Sequence, residues 1–114
     1  MNTLQALVNQ AQKLEAIRKA DLRQGDRVVV TTRNSVYTVW VLGRGEYWVW
    51  GGWFDQQGLS PHKVSINGCT WGGSVIQTDI VAAPGLRLEF GNRLLTTRIR
   101  KVHLIRSTFK YSPN

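Results

Sequence analysis

Arginine guanidiniums, tryptophan rings and a glycine-rich loop are the groups in this chain best placed by type and spacing to do chemistry. The chemistry they suit is the recognition of an anion that carries a flat ring. Arg33, Arg98 and Arg100 are candidate phosphate ligands, because a planar guanidinium meets two phosphate oxygens at once. Trp53 and Trp71 are candidate stacking surfaces for a base, since every base presents a π-face to an aromatic ring. Gly72 and Gly73, inside Gly68-Cys69-Thr70-Trp71-Gly72-Gly73-Ser74, allow positive φ, and successive N–H groups in such a turn can cradle an anion. Thr70 and Ser74 would add hydroxyl donors. The same loop also reads as a tight strand connection that holds no ligand.

Other chemistries find little support. His62 and His103 are distant in sequence and Cys69 is the single cysteine, so no zinc-like spacing exists and no metal or other cofactor is expected. Cys69 or Ser74 could be imagined as a nucleophile, but no Gly-x-Ser-x-Gly elbow accompanies them. The seven Asp and Glu residues are scattered, with no pair spaced for acid–base work. Walker and dinucleotide-binding motifs are missing from the sequence. A non-enzymatic protein is expected.

Charge points the same way. Fifteen Lys and Arg face seven Asp and Glu, a formal +8 over 114 residues. No acidic residue follows Glu89, while Arg93, Arg98, Arg100, Lys101, Arg106 and Lys110 do, with His103 among them. Such a surface attracts polyanions, although it also serves solubility. A lone cysteine fits a reducing compartment, and neither a signal-peptide pattern nor a bilayer-length apolar run is seen. A cytoplasmic protein that does not enter membranes is the expectation.

The elements that must hold these groups read as mainly β. Leu4, Leu7, Val8, Ala11, Leu14 and Ile17 recur at three and four, which predicts an amphipathic N-terminal helix over 3–20. Its stripe would cover the open end of a sheet or bury against another subunit. Strands are predicted over 27–32, 35–42, 46–50, 63–66, 74–81, 86–90, 93–97 and 100–106, with Gly43-Arg44-Gly45 and Gly91-Asn92 as hairpin turns. Trp48 and Trp50 share one face of their strand, and Tyr47 and Val49 share the other. One of these faces must build the core. Trp53 and Phe54 fall in the long glycine-bearing connection after that strand, which makes them candidates for ligand or partner contact. The pattern predicts a small SH3/Sm-like barrel or compact sandwich of about five to seven antiparallel strands. Residues 1–20 would be the helix, 21–106 the β domain and 107–114 a tail.

Taken in order, Arg33-Asn34-Ser35-Val36-Tyr37, Gly51-Gly52, Gly68-Cys69-Thr70-Trp71-Gly72-Gly73-Ser74, Gly85-Leu86-Arg87-Leu88-Glu89-Phe90 and Thr96-Thr97 resemble a family of small bacterial β proteins that carries no assigned activity. The Asn-Ser-x-Tyr strand, the late Thr-Thr and the basic residues after it are also similar to phage sponges of the Thoeris anti-defence type. That second resemblance implies an oligomeric β protein that traps cyclic nucleotide signals. It carries over no ligand-binding residue.

The expected function is therefore binding of an anionic nucleotide-type ligand by a basic homo-oligomeric β-barrel. Arg33, Arg98 and Arg100 would hold phosphates, Trp53 or Trp71 would stack on a base, and the amides of Gly72 and Gly73 would complete the cradle. Two alternatives stay open: single-stranded RNA or DNA on the basic face, and a structural or protein-interaction module with no small ligand.

Overall fold

A computed structural model gives the structure of the protein and describes residues 16–107. Alternation along each strand decides its two faces. In β2 (Arg27–Thr32), Val28, Val30 and Thr32 are buried while the residues between them look outward. β3 (Val36–Gly43) buries Tyr37, Val39 and Val41, and β4 (Glu46–Gly51) buries Tyr47 and Val49. β5 (His62–Thr70), β7 (Arg87–Phe90) and β8 (Ile99–Ile105) complete a six-stranded antiparallel sheet in the order β7-β5-β4-β3-β2-β8. A separate two-stranded ribbon joins β1 (Ile17–Arg18) to β6 (Ile80–Ala82).

Mainly β architecture was expected, but a closed barrel was not found. The edge strands β7 and β8 form no ladder. The sheet curls until the residues just before β7 meet the start of β8 at two backbone bonds, Gly85 N–H to Ile99 O at 2.8 Å and Ile99 N–H to Leu86 O at 2.7 Å. The reason lies in residues 93–97, predicted as a strand of their own. They fold back onto β7 instead. Leu95 makes a single bridge to Glu89, and the Thr96 N–H and Oγ1 both bond Leu88 (2.9 and 3.1 Å). This segment occupies the edge that β8 would need.

Three further expectations are corrected. Residues 1–15 of the predicted N-terminal helix lie outside the described part, and from Ile17 onward the chain is not α-helical. Ile17 pairs with Ala82, Arg18 pairs with Ile80, and Lys19–Asp21 is one turn of 3-10 helix. The Lys19 N–H bonds Asp79 O, just before β6, at 2.9 Å, so pairing with this distant segment satisfies a backbone group that a helix would otherwise have satisfied. The strand predicted over 63–66 runs on to Thr70 through a bulge at Asn67. The strand predicted over 74–81 shrinks to Ile80–Ala82, because the preceding residues form the return limb of a loop pinned by one bridge between Gln77 and Cys69. Gly68 permits that bridge: a Cβ there would lie 2.3 Å from the Gln77 carbonyl oxygen.

The core is closed by an unpredicted element. The chain leaving β4 forms a five-residue helix, α1 (Gly52–Gln56), which drives Phe54 into the interior. Phe54 meets Phe90 edge-on at 5.1 Å, Tyr37 edge-on at 6.3 Å and His62 stacked at 5.5 Å. The entry to α1 needs glycine twice: a Cβ on Gly51 would meet Val36 O at 2.0 Å, and one on Gly52 would meet the Tyr37 ring at 2.3 Å. The Asp55 carboxylate reaches back to the Gly51 N–H at 2.9 Å and steadies the turn. Its hydrogen bond with Ser60, then that N–H, holds its carboxyl below the usual value against a smaller upward effect of burial.

Candidate nucleic-acid interface

With Tyr47 and Val49 inside, Trp48 and Trp50 must stand on the outer face, and register brings Trp40 to join them. One row across the sheet reads Ile105, Arg27, Trp40, Trp48, Lys63. The next reads His103, Val29, Thr38, Trp50, and a third reads Lys101, Thr31, Val36. Strands spaced by about 4.8 Å make the first row roughly 19 Å wide. Trp40 is 41% exposed and Val36 52%, while Trp48 and Trp50 are half-buried. The Trp40 and Trp50 rings lie diagonally, 6.2 Å apart and tilted by 39°. The Arg27 guanidinium carbon sits 5.8 Å from the Trp40 ring centroid, within cation–π range. Cations flank the rings on β2, β5 and β8, and Glu46 is the one carboxylate on the strands' outward positions in β2, β3, β4 and β8 among the described residues. The arrangement is an aromatic platform with a cationic border.

A bulge enlarges the border. Thr32 pairs with Ile99 but Thr31 pairs with Lys101, so Arg100 is an extra residue in β8. Bulges re-aim side chains, and here Arg100 and Lys101 are both exposed. With Pro84 and Val102 they line a shallow depression of about 290 Å³.

The seven residues expected to form a site are not gathered into one. Arg33 follows Thr32 and Arg98 precedes Ile99, so this pairing leaves both, with Arg100, at the same end of the β2–β8 pair. Arg98 donates to Gly85 O at 2.9 Å. Trp53 lies in α1 with its ring edge-on to Phe54 at 5.4 Å, partly buried against the core. Trp71, Gly72 and Gly73 form an exposed loop after β5, and no hydrogen bond or ion pair joins them to the arginines among the described residues. The Gly72 N–H is already bonded to Thr70 Oγ1 at 3.0 Å, so the Thr70 hydroxyl serves the turn. Phe54, expected at a ligand, is fully buried. The sequence reading missed Arg27, Trp40, Lys63 and Lys101 as partners of Trp48 and Trp50. Alternation in Tyr37-Thr38-Val39-Trp40-Val41 carried the signal for Trp40; the cross-strand register that adds the cations is not local information.

Nucleophilic chemistry finds no footing at Cys69. Its thiol is fully buried, donates to Val81 O at 3.3 Å, and is pushed up to about 12 by burial. No cluster of three or more His, Cys, Asp or Glu residues could hold a metal, and no helix is long and apolar enough to cross a membrane, among the described residues. No family model matches the chain, and neither a curated protein nor a solved structure matches it.

Proposed function

We propose that the protein is a non-catalytic binder of single-stranded nucleic acid, using the outer face of β2, β3, β4, β5 and β8. The observation that carries this reading is the platform itself. Indole rings on central strands offer bases a sequence-tolerant stacking surface, and Arg27, Lys63, Lys101 and the bulged Arg100 offer phosphates a border on both sides. An open sheet face suits an unpaired strand, whose bases can splay onto it, better than a duplex. The test is equilibrium binding of a short labelled oligonucleotide to the wild type, Trp40→Ala and Arg27→Ala. Trp40→Ala is expected to weaken binding about tenfold, within the usual worth of one stacked base. Arg27→Ala is expected to lower the salt slope by about one. Unchanged affinity in both variants would reject the platform.

A second reading keeps the small nucleotide-type ligand, including a cyclic nucleotide signal. It is favoured by the depression lined by Arg100 and Lys101, beside Arg98. Thermal shift with cyclic dinucleotides at two salt concentrations tests it. A large shift that survives salt, and is lost in Arg100→Ala, supports a pocket ligand.

A further inference from the structure

We propose that Arg87 and the Thr70–Ser74 loop form a separate site for a phosphate monoester attached to a ring, of the nucleoside monophosphate class. This goes beyond the platform reading and does not depend on it. Arg87 opens β7 and pairs with Thr70 at the end of β5, so the two side chains stand on the same face. Thr70 Oγ1 accepts the Gly72 N–H and donates to Gly72 O, which closes a tight turn at the strand end that Arg87 meets across the ladder. The Arg87 side chain is half-buried, and its Nε is shielded from solvent with no hydrogen-bond partner. The nearest acid on its strand, Glu89, is engaged by the Asn67 amide at 2.8 Å and forms no ion pair with it. A shielded guanidinium N–H with no protein acceptor is costly in a folded protein. Its flat fork of donors is shaped for phosphate oxygens.

The loop supplies the rest of the cradle. Gly72 and Gly73 have φ of +126° and +78°, and a Cβ on either would meet nothing within 4 Å. Backbone conformation, not crowding, therefore calls for glycine, and the space above them is open to a ligand. The Ser74 hydroxyl is exposed beside them. Trp71, 45% exposed, adjoins this turn in the chain and is the indole offered to a ring attached to the phosphate.

The test is a titration of isotope-labelled protein, followed through backbone amide and indole N–H resonances, with inorganic phosphate, adenosine monophosphate and adenosine. Phosphate and the monophosphate are expected to move the Gly72, Gly73 and Trp71 signals, and adenosine is not. Arg87→Gln is expected to weaken the response at least tenfold, whereas Trp40→Ala leaves it intact, which separates this site from the platform. Arg87→Met, similar in length and uncharged, is expected to melt no lower than the wild type in phosphate-free buffer. A lower melting temperature would show that Arg87 has a structural partner and would overturn the proposal. So would loop signals that ignore phosphate, or that still respond in Arg87→Gln. An oligonucleotide with a 5′-phosphate, compared with its 5′-hydroxyl form, then distinguishes a strand end from a free nucleotide as the source of the group.

Discussion

Asp26 shows how much one side chain can hold. It is 1% exposed and accepts the Arg23 N–H at 2.8 Å, the Ser107 N–H at 2.9 Å and the Arg106 guanidinium at 2.8 Å. Burial pushes its carboxyl up, but the two backbone donors and Arg106 together outweigh it, so the group ends below its ordinary value. A carboxyl depressed in the folded state stabilises above its unfolded pKa of about 3.9 and loses that contribution as pH falls through the lower folded value. Melting temperature is therefore expected to fall as pH drops below about 4, and less steeply in Asp26→Asn. At neutral pH that variant should be less stable by about 2–3 kcal/mol, because donors once met by a carboxylate lose a charged acceptor. Arg44 gives the opposite case. It occupies the left-handed region at φ +56° between two glycines in the β3–β4 turn, where a non-glycine residue is strained. Arg44→Asn should raise stability by about 0.5 kcal/mol, since Asn tolerates that conformation; chemical denaturation measures it.

At the scale of elements, α1 is a plug as much as a connection. Phe54→Ala removes a fully buried ring that touches Tyr37, His62 and Phe90. It should cost about 3–5 kcal/mol, whereas Trp53→Ala, which sheds a half-buried ring, should cost less by the same denaturation assay. The contrast marks where the sequence was legible. The bounds of β2, β3 and β4 were readable almost to the residue from alternation and turn residues. Which face of the Glu46–Trp50 strand turns inward was not, because Tyr47 and Val49 on one side and Trp48 and Trp50 on the other are both apolar enough to build a core. The turn at Gly43-Arg44-Gly45 was equally clear from its residue types. The 74–81 and 93–97 segments looked like strands because they are rich in β-branched and leucine residues. What they pair with is set by Gly68, Asn67 and Thr96 through long-range contacts, which no local window contains. The site was half legible for the same reason: tryptophan spacing showed a shared face, but only register adds Arg27, Lys63 and Lys101 to it.

For the whole molecule, the formal +8 is spread unevenly. Cations border the platform and line the depression, and Arg87 pairs with Thr70 where the Trp71 loop begins, so three surfaces compete for anions. If a strand lies across the platform, affinity should fall linearly on logarithmic axes with salt, at a slope near −2 to −3 for three or four released counterions. A slope near zero would instead favour the small-ligand reading. Light scattering at several protein concentrations addresses the expected homo-oligomer. The Trp40 and Val36 side chains, exposed on the open outer face of the sheet, are the apolar surface a second copy would cover.

The paired rings of Trp40 and Trp50 have an optical consequence. Two indoles 6.2 Å apart and tilted by 39° lie close enough for their transition dipoles to couple, and a chiral arrangement of coupled dipoles splits into bands of opposite sign. The far-ultraviolet circular dichroism of this protein should therefore carry an aromatic couplet laid over the β signal, and a naive reading of that spectrum would misjudge its secondary structure. Trp50→Phe should erase the couplet while leaving the amide signal of the sheet in place. A base slipping against Trp40 should alter its amplitude, so the protein would report occupancy of its own platform without any attached label.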